Sequence, residues 1–356
     1  MEKTPLGTFG PLAEQPLWQQ SLWDDHPTPL PSAPAAGPNL ADYDRIIVAF
    51  SGGADSQACV LHLLESGVEA SRIHLHHHLV DGDGETFMDW PCTEAYCRAF
   101  AQAMGMQFST SFRVGGFERE MTRTACSTAP SSVPFEGTRK LIGGAGPEGT
   151  RLKFPQQSAS LKTRWCSAAL KIGVFDGWVN NDPQFLHGKT LVVTGERAEE
   201  SASRAKYNDF EPHRADNRNG KYVKRYVDHW RPVHKWLKPK VWAIIERFRV
   251  VAHPCYFLNF GRCSCIACVF GGPDQWASVK VIVPKQFTKI AAYEKSFGVT
   301  IHRAKPVEQL VSEGTPYDMD PFWLQAARST DWTLPIITDN WTLPPGAYGD
   351  QACGPS

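Results

Sequence analysis

No Gly-x-x-x-x-Gly-Lys-[Ser/Thr] run occurs in the 356 residues, so the chain carries no Walker A phosphate loop. No apolar run is long enough to span a bilayer, and the start shows no basic n-region followed by an apolar h-region. Those absences argue against membrane insertion and secretion, and a cytoplasmic protein is expected. Net charge is also missing: 37 Lys+Arg balance 37 Asp+Glu, so any nucleic-acid contact must come from a local patch or a partner. Ten cysteines are too sparse for a disulfide scaffold in a chain this long. What is present is a 42% hydrophobic content, enough for one large α/β domain with appendages or for two small domains.

The most informative stretch is Ser51-Gly52-Gly53-Ala54-Asp55-Ser56. Arg45 to Phe50 before it is a short, β-branched apolar run that reads as a buried strand, and Ala58 to Leu64 after it reads as a helix. The turn therefore sits at a helix N-terminus, where unpartnered N–H groups and the helix dipole favour an anion. Gly52 and Gly53 can take positive φ and let a phosphate approach the backbone. Ser51 and Ser56 offer hydroxyls, and Asp55 can position Mg2+ or cap the helix. On spacing alone, an ordinary strand–turn–helix built of small residues reads the same.

Residues 1–40 hold eight of the 27 prolines with Trp18 and Trp23, and read as an extended arm or as disorder. From residue 41 to 250 a βαβα rhythm argues a parallel sheet with helices on both faces and ligand sites at the strands' carboxyl ends. Ile73–Val80 and Gln107–Phe112 are the expected second and third strands, with a helix from Trp90 to Met104 whose first turn suits Pro91. Lys189–Thr194 is a later buried strand, and Val241–Phe248 an amphipathic helix. Between residues 114 and 157 periodicity fails and a long functional loop is expected. It holds Gly144-x-Gly146-x-x-Gly149, discounted as a dinucleotide turn because no strand is expected before it and Pro147 interrupts it. Residues 251–356 form a cysteine-bearing, helical or irregular region.

Cys263, Cys265 and Cys268 lie in one C-x-C-x-x-C loop, flanked by glycines that let several sulfurs turn to one point. Iron–sulfur, tetrahedral zinc and plain buried thiols are the three readings. The single C-x-x-C knuckle favours the first. Cys255 is an alternative to Cys263, and Cys59, Cys92, Cys97 and Cys126 read as core or incidental. Glu196 and Arg197 follow a buried strand and so stand at the ligand edge; Arg197 and Arg204 suit bidentate phosphate contacts or salt bridges with Glu199 and Glu200. Between Phe210 and Trp230, basic and aromatic residues alternate, as in a nucleic-acid surface or a solvated loop.

The strand–SGGxDS–helix unit resembles the PP-loop of the adenine-nucleotide α-hydrolase superfamily. Thr163-Arg-Trp-Cys-Ser-Ala-Ala-Leu-Lys171, Thr194-Gly-Glu-Arg-Ala-Glu-Glu-Ser201 with Arg204, and Cys263-Ser-Cys-Ile-Ala-Cys268 resemble the branch related to phosphoadenosine phosphosulfate (PAPS) reductase. The likeness runs from about Asp44 to about Arg303. It implies a Rossmann-like α/β fold of the HUP type, with ATP and Mg2+ held by Ser51, Gly52, Gly53, Ala54, Asp55, Ser56, Gly195, Glu196 and Arg197. His76 and His77 would wall the adenine. Asp55, Arg197, Arg204 and Lys171 would serve catalysis, and Cys166, Cys263, Cys265 and Cys268 would hold a [4Fe–4S] cluster. Ala54 departs from the pattern, since many relatives carry Lys there.

Within that branch the chain is most similar to the ATP pyrophosphatases of DNA phosphorothioation, of the Dnd and Ssp type. The resemblance implies cleavage of ATP to AMP and pyrophosphate while a DNA backbone phosphate is activated for sulfur insertion. Expected partners are DNA, a cysteine desulfurase and other modification subunits, with room for a homodimer and no membrane. A PAPS or adenosine phosphosulfate reductase is the alternative. Those enzymes use a C-terminal Glu-Cys-Gly-Leu/Ile-His thiol, and here Cys353-Gly354 lacks the Glu and the His; Cys166 is also followed by Ser167 rather than a second Cys. A non-catalytic nucleotide and iron–sulfur sensor in a defence complex is the third reading.

Overall fold

The computed structural model describes residues 37–158 and 160–349. The proline-rich arm as far as Ala36 and the Cys353-Gly354 pair lie outside the described residues. Eight strands form one sheet: β1 (Arg45–Ala49), β2 (Ile73–His78), β3 (Gln107–Arg113), β4 (Ser131–Phe135), β5 (Thr138–Ile142), β6 (Lys189–Val193), β7 (Phe210–Pro212) and β8 (Tyr226–Trp230). Their order is β5-β4-β3-β2-β1-β6-β8-β7. From β3 to β8 the pairing is parallel; β4, β5 and β7 run antiparallel at the edges. This is a mixed α/β fold with a mostly parallel sheet, consistent with a Rossmann-like architecture.

The order places the functional crevice. The chain leaves β1 toward β2 on one side and later returns to lay β6 on the other. Connections after β1 and β6 therefore diverge, which opens a gap at their carboxyl ends. Helix α1 (Ala54–Glu65) follows β1 and buries Ala58, Val60, Leu61, Leu63 and Leu64. Helix α2 (Thr93–Ala103) follows β2, starting after Cys92, so Pro91 precedes the helix rather than opening its first turn.

On the opposite face, Val174, Phe175, Trp178 and Val179 pack with Ile47, Val192 and Val227 of three adjacent strands. Alternation along the strands explains the division, since Ile47 and its neighbours Ile46 and Val48 point to opposite faces. Trp178 is fully buried there, and truncating it to Ala would cost about 3–5 kcal/mol.

The 114–157 segment is more ordered than its composition predicts. It contains helix α3 (Gly116–Met121) and the β4–β5 hairpin. Glu136 and Gly137 at the tip both have positive φ, 46° and 74°, as a two-residue type I′ turn requires. A strand thus does precede Gly144, contrary to expectation. No helix follows Gly149 until Trp165 among the described residues, and Gly149 bridges to Cys126 instead, so the glycine fingerprint is not a dinucleotide turn.

Candidate functional site

The Ser51–Ser56 turn is closed by its own side chains. Ser56 Oγ donates to Gly53 O at 2.8 Å, Gly53 N donates to Ser51 Oγ at 3.3 Å, and Ser51 N donates to Ser56 Oγ at 3.3 Å. Gly52 has φ +76°, and a Cβ there would lie 3.1 Å from Cys97 Sγ and 3.2 Å from the Tyr96 ring. Glycine is needed on both counts. Gln57 Nε2 pins the Gly52 carbonyl at 2.8 Å and also donates to Tyr96 Oη at 2.6 Å. Asp55 and Ser56, whose first-turn N–H groups lack intrahelical acceptors, line a cavity of about 780 Å³.

The opposing wall is Thr194-Gly195-Glu196-Arg197, and a Cβ on Gly195 would come within 2.9 Å of the Asp55 carbonyl. Arg197 is buried, and its Nε donates to Asp55 Oδ1 at 2.5 Å while Nη1 donates to Glu199. Two residues called catalytic from sequence are thus bonded to each other. Burial pushes the Asp55 carboxyl up against the opposing pull of Arg197. Arg204 pairs with Glu200, whose other oxygen accepts from Arg197 N at 2.8 Å.

Sequence reasoning missed the support behind Glu196. Thr194 Oγ1 donates to Glu196 and contacts His229 Nε2 at 2.6 Å, while Arg231 Nη2 donates to His229 Nδ1 at 3.1 Å. Burial acts to raise the Glu196 carboxyl, but His229, Thr194 and Arg231 outweigh it and hold the group below its usual range. His229 and Arg231 lie 33 and 35 residues beyond Glu196 in sequence but adjoin it through the β6–β8 pairing.

The histidines of β2 divide by face. His74, His76 and His78 share one, joined through β3: His74 Nε2 to Ser109 Oγ 2.6 Å, Ser109 Oγ to His76 Nδ1 2.8 Å, His76 Nε2 to Ser111 Oγ 2.8 Å, and Ser111 Oγ to His78 Nδ1 3.0 Å. His76 also stacks on Trp178 at 4.4 Å, so both its nitrogens and one ring face are committed. His77, on the other face, contacts the Phe50 carbonyl through Nδ1 at 2.8 Å and thereby anchors the entry to the turn. His76, His77 and His78 all reach the cavity wall.

The cysteine loop abuts the Ser51–Ser56 turn. Tyr256 Oη accepts from Ala54 N at 3.0 Å and from Cys263 N at 3.2 Å. Of the four cysteines proposed as one ligand set, Cys265 and Cys268 share the loop of Cys263, Cys166 comes from a distant segment, and geometry clusters Cys263 with other donors. Burial acts to lower the Lys171 ammonium, but Cys265, Asp89, Cys166 and Cys268 outweigh it and hold the group above its usual range. A π-turn, Ala168–Ile172, carries Lys171 to the cavity. Cys263 groups with Cys255 and His253, their donor atoms within 4.8 Å of one another. Cys92 Sγ lies 3.5 Å from His253 Nε2, and Cys255 N donates to His253 Nδ1 at 3.2 Å. That last bond assigns the imidazole proton to Nε2.

The basic–aromatic stretch is partly internal and partly exposed. Arg218 pairs with Asp216 and Asp228 and stacks 3.8 Å over Tyr226; Arg225 is buried and donates to Ala215 O at 2.9 Å; Arg214 pairs with Asp176. Lys221, Tyr222 and Lys224 remain turned outward. No protein-family model matches the chain, and no curated protein matches it.

Proposed function

We propose that the chain is a PP-loop ATP pyrophosphatase that cleaves ATP to AMP and pyrophosphate and activates a DNA backbone phosphate for sulfur insertion. The observation that carries this reading is the Ser51–Ser56 turn: a helix N-terminus behind two glycines, at the sheet's switch point, facing a cavity large enough for a nucleotide. The residues present fit a triphosphate, since Ser51, Gly53, Ala54, Asp55 and Ser56 line the space at a helix N-terminus, where first-turn N–H groups lack intrahelical acceptors. Asp55 and Glu196, both on the cavity wall, would hold Mg2+. Arg197, beside Asp55 on the same cavity wall, would meet the charge developing on the leaving pyrophosphate.

The donor set also fits an iron–sulfur cluster. Burial pushes the Cys166 and Cys265 thiols up, a cost that a bound metal reverses by deprotonating its sulfur ligands. Cys166, Cys265 and Cys268 would hold it, with Cys263 or Cys255 as the fourth ligand. When bound, such a cluster supplies electron transfer or soft Lewis acidity beside the nucleotide.

The test is anaerobic incubation with DNA, ATP, cysteine labelled with radioactive sulfur and a cysteine desulfurase, followed by digestion to dinucleotides. Label in a phosphorothioate dinucleotide supports the reading. Sulfite release from PAPS, with no labelled DNA, would transfer the chain to the reductases.

A further inference from the structure

The cavity that meets the Ser51–Ser56 turn continues along the sheet face covered by the helix Gly173–Asn181. Ala49 lies two residues before Ser51 and shares the face of Ile47, and it lines the cavity together with Val192, His76 and His78. Phe175 of that helix lines it too. Its ring centroid is 5.6 Å from that of His76, 6.0 Å from His78 and 5.7 Å from His213. These rings enclose an aromatic chamber on the same cavity as the turn.

One donor in the chamber is left over. His213, 8% exposed, accepts Ala215 N–H at Nδ1 over 3.1 Å, which fixes its proton on Nε2. That Nε2–H has no hydrogen-bond partner among the described residues, and it is not enclosed by protein. His76 and His229 differ, because both nitrogens of each are engaged. The imidazoles are also uncharged at neutral pH, since burial pulls His78 and His213 down to about 3 and His229 to about 4. A neutral donor whose direction is fixed by the backbone therefore faces whatever enters an aromatic space.

We infer that His213 is a specificity residue that donates its Nε2–H to a ring nitrogen of a purine seated in this chamber. A purine is planar and neutral, its faces suit the surrounding rings, and its edge carries ring nitrogens that accept a hydrogen bond. A site built around one fixed donor rejects a base that presents no acceptor there, because the donor is then buried unpaired. The inference rests on the proposed function for the purine being that of ATP, while the chamber and its free donor stand on geometry.

The experiment titrates the full chain with ATP, with three ATP analogues in which one purine ring nitrogen (N1, N3 or N7) is replaced by carbon, and with inorganic tripolyphosphate. Wild type is compared with His213→Asn and His213→Gln. Asn keeps an acceptor for Ala215 N–H but lacks the Nε2–H, and Gln restores a donor at about that reach. His213→Asn is expected to weaken ATP about tenfold, the effect of one buried donor left out of the complex. Its tripolyphosphate affinity and melting temperature should stay at wild-type values, and His213→Gln should recover part of the ATP binding. One analogue should show the same loss in wild type, and His213→Asn should bind that analogue and ATP alike, since the two changes remove one bond. Unchanged ATP affinity in His213→Asn would overturn the inference, as would a wild type indifferent to all three replacements or unable to bind ATP. Parallel loss of tripolyphosphate affinity would show a merely structural role and overturn it too. The expected binding pattern with no AMP released from ATP would leave the base site standing and defeat the proposed function.

Discussion

Tyr256 Oη accepts the backbone N–H of Ala54 at 3.0 Å, joining the first residue of helix α1 to the cysteine-bearing segment 202 positions later. The same oxygen accepts from Cys263 N at 3.2 Å. One hydroxyl thus sets the spacing between the two parts of the site. Tyr256→Phe leaves both N–H groups without that acceptor and should cost about 1–3 kcal/mol, read as a lower urea midpoint. ATP affinity should fall with it. An unchanged midpoint would show that the bridge carries no weight.

Asp55 and Arg197 should be energetically coupled. Arg197→Gln strips Asp55 of its partner, and Asp55→Asn does the reverse. A double-mutant cycle should give a coupling of about 1.5–3 kcal/mol, the range for hydrogen bonds to charged groups. Both single variants should lose pyrophosphate release. Additive stabilities would contradict the pairing.

Stability should fall on mild acidification. Burial pulls His74 down to about 4 and His78 to about 3, with His76 also well below its usual range. The unfolded chain takes up protons on these rings near pH 6.5, whereas the folded chain does not until nearer 4. The unfolded state therefore binds more protons in that window, and stability present above pH 6.5 is lost as pH falls toward 4. Urea midpoints at pH 7 and pH 5 measure the drop, and His78→Asn should make it shallower. Equal slopes in the two proteins would remove His78 from the account.

Iron content tests the cysteine ligand set. Cys166→Ser, Cys265→Ser and Cys268→Ser, purified anaerobically, should each lose most iron and acid-labile sulfide. Cys263→Ser should do the same if Cys263 is the fourth ligand, and Cys255→Ser if the role falls to that residue. Full iron and sulfide in the Cys265→Ser protein would rule out a cluster on this loop.

How much was legible in the sequence depended on where the signal sat. The β1 strand, its Gly-rich turn and helix α1 are contiguous, and short apolar runs marked β2, β3 and β6. Strand β5 was invisible because four of its five residues are exposed and the fifth is partly so, leaving no apolar face to alternate. The stretch before β8 read as a surface because its charges are conspicuous, yet Arg218 and Arg225 spend theirs on internal partners. Glu196 was identified from its place after a strand, but His229 and Arg231 join it only through sheet pairing. Tyr256 and His253 were missed for the same reason: their partners lie about 160 to 200 residues away.

The most direct test of the central claim is anaerobic incubation with ATP labelled at the α-phosphate, with and without DNA, resolving AMP from ADP. The account predicts labelled AMP with equimolar pyrophosphate, stimulated by DNA and abolished in Asp55→Asn. Labelled ADP with inorganic phosphate would place cleavage at the wrong bond and contradict it.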